Sequence, residues 1–221
     1  MPAAQVPVYR PGQFDVVCIG SSTGGPPVLE TILSALPETL SAPVVVAQHM
    51  PELFTRSMAE RLAQVCKLRV LHAEDRMPLE HRTIYIAPGG KHIHLNKLGL
   101  VKWELLVNSD PKEALYKPSV DALFASAATA MGARTLAVVL TGIGEDGLLG
   151  ARDLHAKTGS SSPRIRKPAW FTACPRRSLR RPSSLPRFHR RKSANPWPPL
   201  PNPPVQAARL HHLLPKRGEI N

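Results

Sequence analysis

Between residues 14 and 159, short apolar runs bounded by glycine or proline alternate with longer segments of helical period, and this alternation restricts the chain to an α/β architecture. Asp15 to Gly20 (DVVCIG) has strand length and ends in glycine. After the turn SSTGG, the segment PPVLETILSAL repeats Val28, Ile32 and Leu36 at helical spacing, with proline where a helix can begin. Pro43 to Gln48 (PVVVAQ) is β-branched and flanked by Pro43 and Pro51, and Glu52 to Lys67 is predicted to place Leu53, Phe54, Met58, Leu62 and Cys66 on one helical face. Thr83 to Ala87 alternates like a strand, and His92 to Val107 has the mixed pattern of a hairpin. Ser119 to Met131 is alanine-rich and helical, Thr135 to Leu140 reads as a buried strand, and Leu148 to Lys157 opens another helix. The order predicts a doubly wound, mainly parallel sheet flanked by helices, with a small antiparallel hairpin.

The pattern stops at Gly159. Twelve of the 24 prolines lie beyond it, in tracts such as RRSLRRP and NPWPPLPNPP. The net charge of +13 has the same boundary: Met1 to Lys157 holds 15 basic and 15 acidic residues, whereas Thr158 to Asn221 holds 14 basic residues and only Glu219 as an acid. Such a segment buries too little apolar surface to offset its ordering entropy, so disorder is expected there. The expected organisation is an extension at 1–13, one catalytic domain at 14–159 and a basic tail at 160–221. The tail's few aromatic residues match no nucleic-acid module, so no specific nucleic-acid partner is expected. Cys18, Cys66 and Cys174 are too few and too dispersed for a disulfide framework or a structural zinc site, and the N-terminus lacks the apolar core of a signal peptide. No window reaches the length of a membrane span. A cytoplasmic protein without membrane insertion is expected.

Three strand ends carry residues with chemical potential. Gly20-Ser21-Ser22-Thr23-Gly24 satisfies G-x-S-x-G at a strand-to-helix turn, which makes Ser22 a candidate nucleophile and lets the amides opening the helix face an oxyanion. An ordinary glycine-rich turn, or one that binds phosphate, is the alternative. His49 directly follows PVVVAQ and so belongs at the carboxyl edge of the sheet with Ser22, although a lone loop histidine is usually structural. Asp146, in the TGIGEDG segment after TLAVVL, could orient His49 or could simply cap the helix it precedes. His92 and His94 alternate on a predicted strand and have ordinary structural readings. No set of residues has metal-ligand spacing, and both G-x-G-x-x-G and the P-loop pattern are absent, so neither metal nor cofactor is expected.

The blocks IGSSTGGP, VVAQHMP, FTRSMAERL, IYIAPGGKHIHL, KPSVDALFASAA and VVLTGIGEDGLLGARDLHAKTG, in that order from Phe14 to Gly159, resemble the catalytic domain of CheB-type protein-glutamate methylesterases. The resemblance implies hydrolysis of glutamate γ-methyl esters on bacterial chemoreceptors, with deamidation of receptor glutamines as a companion activity. It assigns the triad to Ser22, His49 and Asp146, and the lining of the site to Thr23, Gly24 and Ile143. Full-length members carry an N-terminal receiver domain, for which the residues before Phe14 leave no room, so phosphorylation control within this chain is not expected; a stand-alone catalytic domain, a truncated reading frame and control by a separate receiver protein stand as alternatives. After Gly159 the family's next block is missing. Residues 162 to 175 (SPRIRKPAWFTACP) back-translate into DNA that, one base out of register, encodes a block of that type, so the tail reads as an out-of-frame continuation lacking the last strand. Two alternatives stand beside the methylesterase: a defective homologue whose basic tail binds anions without specificity, and a serine hydrolase of another ester.

Overall fold

In the computed structural model of the chain, the described residues are 12, 14–99, 102–140, 145–159 and 170–172. The central sheet contains β1 (Val16–Ser21), β2 (Val44–Gln48), β3 (Arg69–His72), β5 (Thr83–Ile86), β8 (Thr135–Val139) and β9 (Trp170–Thr172), in the order β3-β5-β2-β1-β8-β9. All its pairs are parallel, with Cys18 opposite Val45 on one side and Ala137 on the other. A second, antiparallel sheet joins β4 (Met77–Pro78), β7 (Lys102–Asn108) and β6 (His92–Leu98). The helices are α1 (Gly25–Ser34), α2 (Glu52–Val65), α3 (Val120–Ala130) and α4 (Leu148–Gly159).

Strand pleating sends alternate residues into two separate cores. Ile19, Val44, Val46, Ile84 and Ile86 pack with Leu29, Leu33 and Leu62 of α1 and α2. On the opposite face, Cys18, Val45, Tyr85 and Ala137 meet Leu123 and Phe124 of α3, Leu154 of α4 and the β6–β7 hairpin. Burial on both faces explains the unbroken apolar runs of β1, β2 and β5, and each large side chain so buried contributes roughly 1.5–3 kcal/mol. The architecture is the α/β fold expected, hairpin included.

Three expectations need correction. The face that α2 turns to the sheet is Thr55, Ala59 and Leu62, while Leu53 and Phe54 are 73% and 59% exposed. Thr55 can be buried because its hydroxyl donates to the Glu52 carbonyl (2.8 Å), accepts the N–H of Gly89 (3.1 Å) and lies 3.1 Å from His72 Nε2. Strands β3 and β4 are additions: the first is a four-residue edge strand with exposed Arg69 at its start, and the second is only two residues long, so neither shows alternation. The third correction is β9. A segment expected to hold no element pairs Trp170, Phe171 and Thr172 with Ala137, Val138 and Val139, so the sheet's last strand is present. Backbone groups on the free side of β8 can be satisfied by any extended segment, and Trp, Phe and Thr favour that conformation. Residues 160–169 and 173–221 of the tail, the extension through residue 11, and Ile143 lie outside the described residues.

Candidate active site

The strand order places β1 between β2 and β8, so the turns that follow these three strands share the carboxyl edge of the sheet, where α/β folds form their crevices. Ser22 lies in the turn after β1. The two glycines of its motif have different reasons to be there. A Cβ on Gly20 would stand 2.3 Å from Val120 Cγ1, so glycine is what lets α3 begin against β1. Gly24, at φ 77°, supplies the left-handed turn that starts α1, with proline in the helix's first positions and no side chain capping it.

His49 follows β2 and is tied to the Ser22 turn by its own N–H, which donates to the Ser21 carbonyl at 2.9 Å. Gln48, fully buried at the end of β2, reinforces the tie: its Nε2 donates to the carbonyls of Ser22 (3.0 Å) and His49 (3.2 Å). The imidazole then lies with Nδ1 3.1 Å from Ser22 Oγ and Nε2 2.7 Å from Asp146 Oδ2. A carboxylate only accepts, so Nε2 carries a hydrogen toward Asp146, and in the neutral ring this leaves Nδ1 as the acceptor facing the Ser22 hydroxyl. The ring nitrogens are used in the reverse order of the serine-protease template, with the same consequence for proton transfer. Tyr116 stacks on the imidazole at 4.3 Å between centroids and 8° between planes, restricting its rotation.

Asp146 is held from four directions. Oδ1 accepts from Ser119 Oγ (3.0 Å) and the Asp121 N–H (2.9 Å), while Oδ2 accepts from the Val120 N–H (2.7 Å) and His49. Burial alone would raise the Asp146 carboxyl. The hydrogen bonds from His49, Asp121, Val120 and Ser119 outweigh it and hold the group below the ordinary carboxylate range. Asp146 is therefore both a helix cap and the partner of His49, but the helix it caps is α3, not the α4 it precedes. Asp121 returns the arrangement, accepting the N–H groups of Gly147 (3.0 Å) and Gly150 (2.8 Å) at the start of α4. Burial, together with the nearby Asp146 charge, pushes the Asp121 carboxyl up despite these bonds.

Ser22, His49 and Asp146, separated by up to 124 positions in the chain, thus form one hydrogen-bonded line. Thr23 and Gly24 adjoin it at the start of α1. Gln48, Tyr116, Ser119 and Asp121 are the residues that sequence reasoning did not single out for this site. Ser119 was visible only as the start of a helix, and a lone loop tyrosine carries no spacing signal. Among the described residues, no group of three or more His, Cys, Asp or Glu side chains is arranged to hold a metal ion, and no helix is long and apolar enough to cross a membrane. The arrangement can activate a serine hydroxyl for attack on an acyl carbon.

Comparison with known proteins gives the same direction. The CheB methylesterase family model matches residues 17–181. The protein-glutamate methylesterase/protein-glutamine glutaminase of Lawsonia intracellularis is 45% identical over 145 residues, 66% of this chain and 40% of its own length. The similarly described protein 2 of Nitratidesulfovibrio vulgaris is 47% identical over 147 residues, again 66% and 40% of the respective lengths. The chain thus spans about two fifths of the curated relatives it matches. The crystal structure of the Thermotoga maritima CheB methylesterase catalytic domain superposes with a TM-score of 0.62 at 40% identity, covering 65% of this chain and 76% of that one.

Proposed function

The chain belongs to the CheB methylesterase family, and from that premise we propose that it is a serine hydrolase of glutamate γ-methyl esters on bacterial chemoreceptors, acting in the cytoplasm. The observation that carries the reading is the hydrogen-bonded line from Ser22 Oγ through His49 to Asp146 at the carboxyl edge of the sheet. In this reading the catalytic unit runs from Phe14 to Gly159, with Trp170–Thr172 adding the last strand.

His49 Nδ1 takes the Ser22 proton as Oγ attacks the ester carbonyl carbon, and Asp146 stabilises the imidazolium through Nε2–H. The carbonyl π-bond electrons move to oxygen, and the start of α1 at Thr23 and Gly24 lines the space for that oxyanion. Collapse breaks the bond to the methoxy oxygen, which leaves as methanol with the proton from His49. The glutamyl side chain is now an ester of Ser22. His49 then deprotonates a water that attacks this ester, releasing the glutamate carboxylate and restoring the Ser22 hydroxyl. The same steps on a glutamine amide release ammonia, the companion activity in the relatives' description.

The test is methanol release from methylated chemoreceptor membranes. Release by the native chain, abolished in Ser22→Ala with an unchanged thermal melt, supports the assignment. Equal release by both proteins sinks it.

A further inference from the structure

His92 on β6 is fully buried and takes no part in the steps above. Its ring bridges two chain segments beside α3. Nδ1 accepts the backbone N–H of Ser119 at 3.0 Å, and Nε2 lies 3.2 Å from the carbonyl oxygen of Pro111. Because a backbone N–H can only donate, Nδ1 must be unprotonated, and Nε2 carries the ring hydrogen toward Pro111. Ser119 is the next member of the chain of bonds. Its hydroxyl accepts the Ala122 N–H (3.2 Å) as the cap of α3 and donates to Asp146 Oδ1 (3.0 Å). Asp146 also accepts from the two amides that follow Ser119.

We propose that His92 is a positioning residue of the triad: by holding the Ser119 amide it fixes the α3 start that orients Asp146, and through Asp146 it orients the imidazole of His49. The inference rests on reading Ser22, His49 and Asp146 as the triad. It requires a neutral His92, and the surroundings favour that form. Burial lowers its proton affinity, as do the neighbouring His94 and Lys117, against the opposing pull of the Pro111 carbonyl and Asp146. His94, half-buried on the same strand, bonds the Asp110 carbonyl at 2.9 Å instead, which leaves the Ser119 contact to His92 alone of the pair.

Three variants of the full chain separate positioning from packing. In His92→Asn, Oδ1 replaces Nδ1 and can accept from Ser119. In His92→Gln the amide reaches the Nε2 position and leaves the Ser119 N–H without its acceptor, and His92→Leu removes both bonds. We expect kcat for methyl-ester hydrolysis to fall roughly 10- to 100-fold in the Gln and Leu variants with KM unchanged, while Asn retains most of the native rate. A second readout needs no turnover: the hydrogen shared by His49 Nε2 and Asp146 across 2.7 Å should give a strongly deshielded proton resonance, kept in His92→Asn and lost or shifted in His92→Gln and His92→Leu. A native chain without hydrolytic activity would overturn the assigned reaction, and the resonance would still decide the role of His92. The proposal fails if His92→Asn is as impaired as His92→Leu, or if His92→Gln keeps both the native kcat and the native resonance. Should His92→Leu not fold, the Asn and Gln pair makes the same decision.

Discussion

The helix starts of α1 and α3 lie at the same edge of the sheet and are built in opposite ways. No side chain caps α1, which opens from left-handed Gly24 with proline in its first positions. At α3, Ser119 caps Ala122, and the Asp146 carboxylate takes the N–H groups of Val120 and Asp121. A helix N-terminus carries partial positive charge and attracts an anion. The contrast teaches where each demand is met. At α3 the protein supplies its own anion and uses it to orient His49. At α1, beside Ser22, the proposed reaction would place the oxyanion that forms during attack.

The contrast breaks most severely at Asp146. Replacing it with Asn keeps the shape but removes the charge, and kcat should fall on the order of 10⁴-fold, measured by methanol release. A smaller effect comes from Gly20→Ala, whose methyl meets Val120 at the first residue of α3. Overpacking there should lower stability by about 1–3 kcal/mol in denaturant melts and reduce hydrolysis by misplacing the α3 start. Asp121→Ala removes the reciprocal cap from Gly147 and Gly150 and should cost about 0.5–2 kcal/mol of stability in the same melts, leaving more activity than any change at Asp146. The smallest effect is a pH dependence. Asp146 is held below its ordinary value, so the folded state favours the ionised form. The stability it contributes is complete above about pH 4 and is lost as pH falls toward the folded value. Below about pH 4 the native chain should therefore lose melting temperature more steeply than Asp146→Asn.

The same contrast explains what could be read from the sequence. Strands buried on both faces announce themselves: the runs DVVCIG, PVVVAQ and TLAVVL became β1, β2 and β8, and their ends located Ser22, His49 and the segment leading to Asp146. Local periodicity does not report which neighbouring stripe of a helix is chosen, so Leu53 and Phe54 were expected inside while Thr55 is the residue buried. Nor does it report bonds between distant segments. Asp146 preceding a helix looked like a cap for α4, whereas its bonds reach back to residues 119–121. The strand at Trp170–Thr172 was invisible for another reason: backbone pairing to β8 depends little on side-chain pattern.

The most direct test of the central claim is the intact mass of the chain after exposure to a phosphonofluoridate, with the modified residue located by peptide mapping. A single phosphonyl adduct should form on Ser22, far more slowly in His49→Ala and not at all in Ser22→Ala. An unmodified chain that still releases methanol, or an adduct that persists in Ser22→Ala, would contradict the claim.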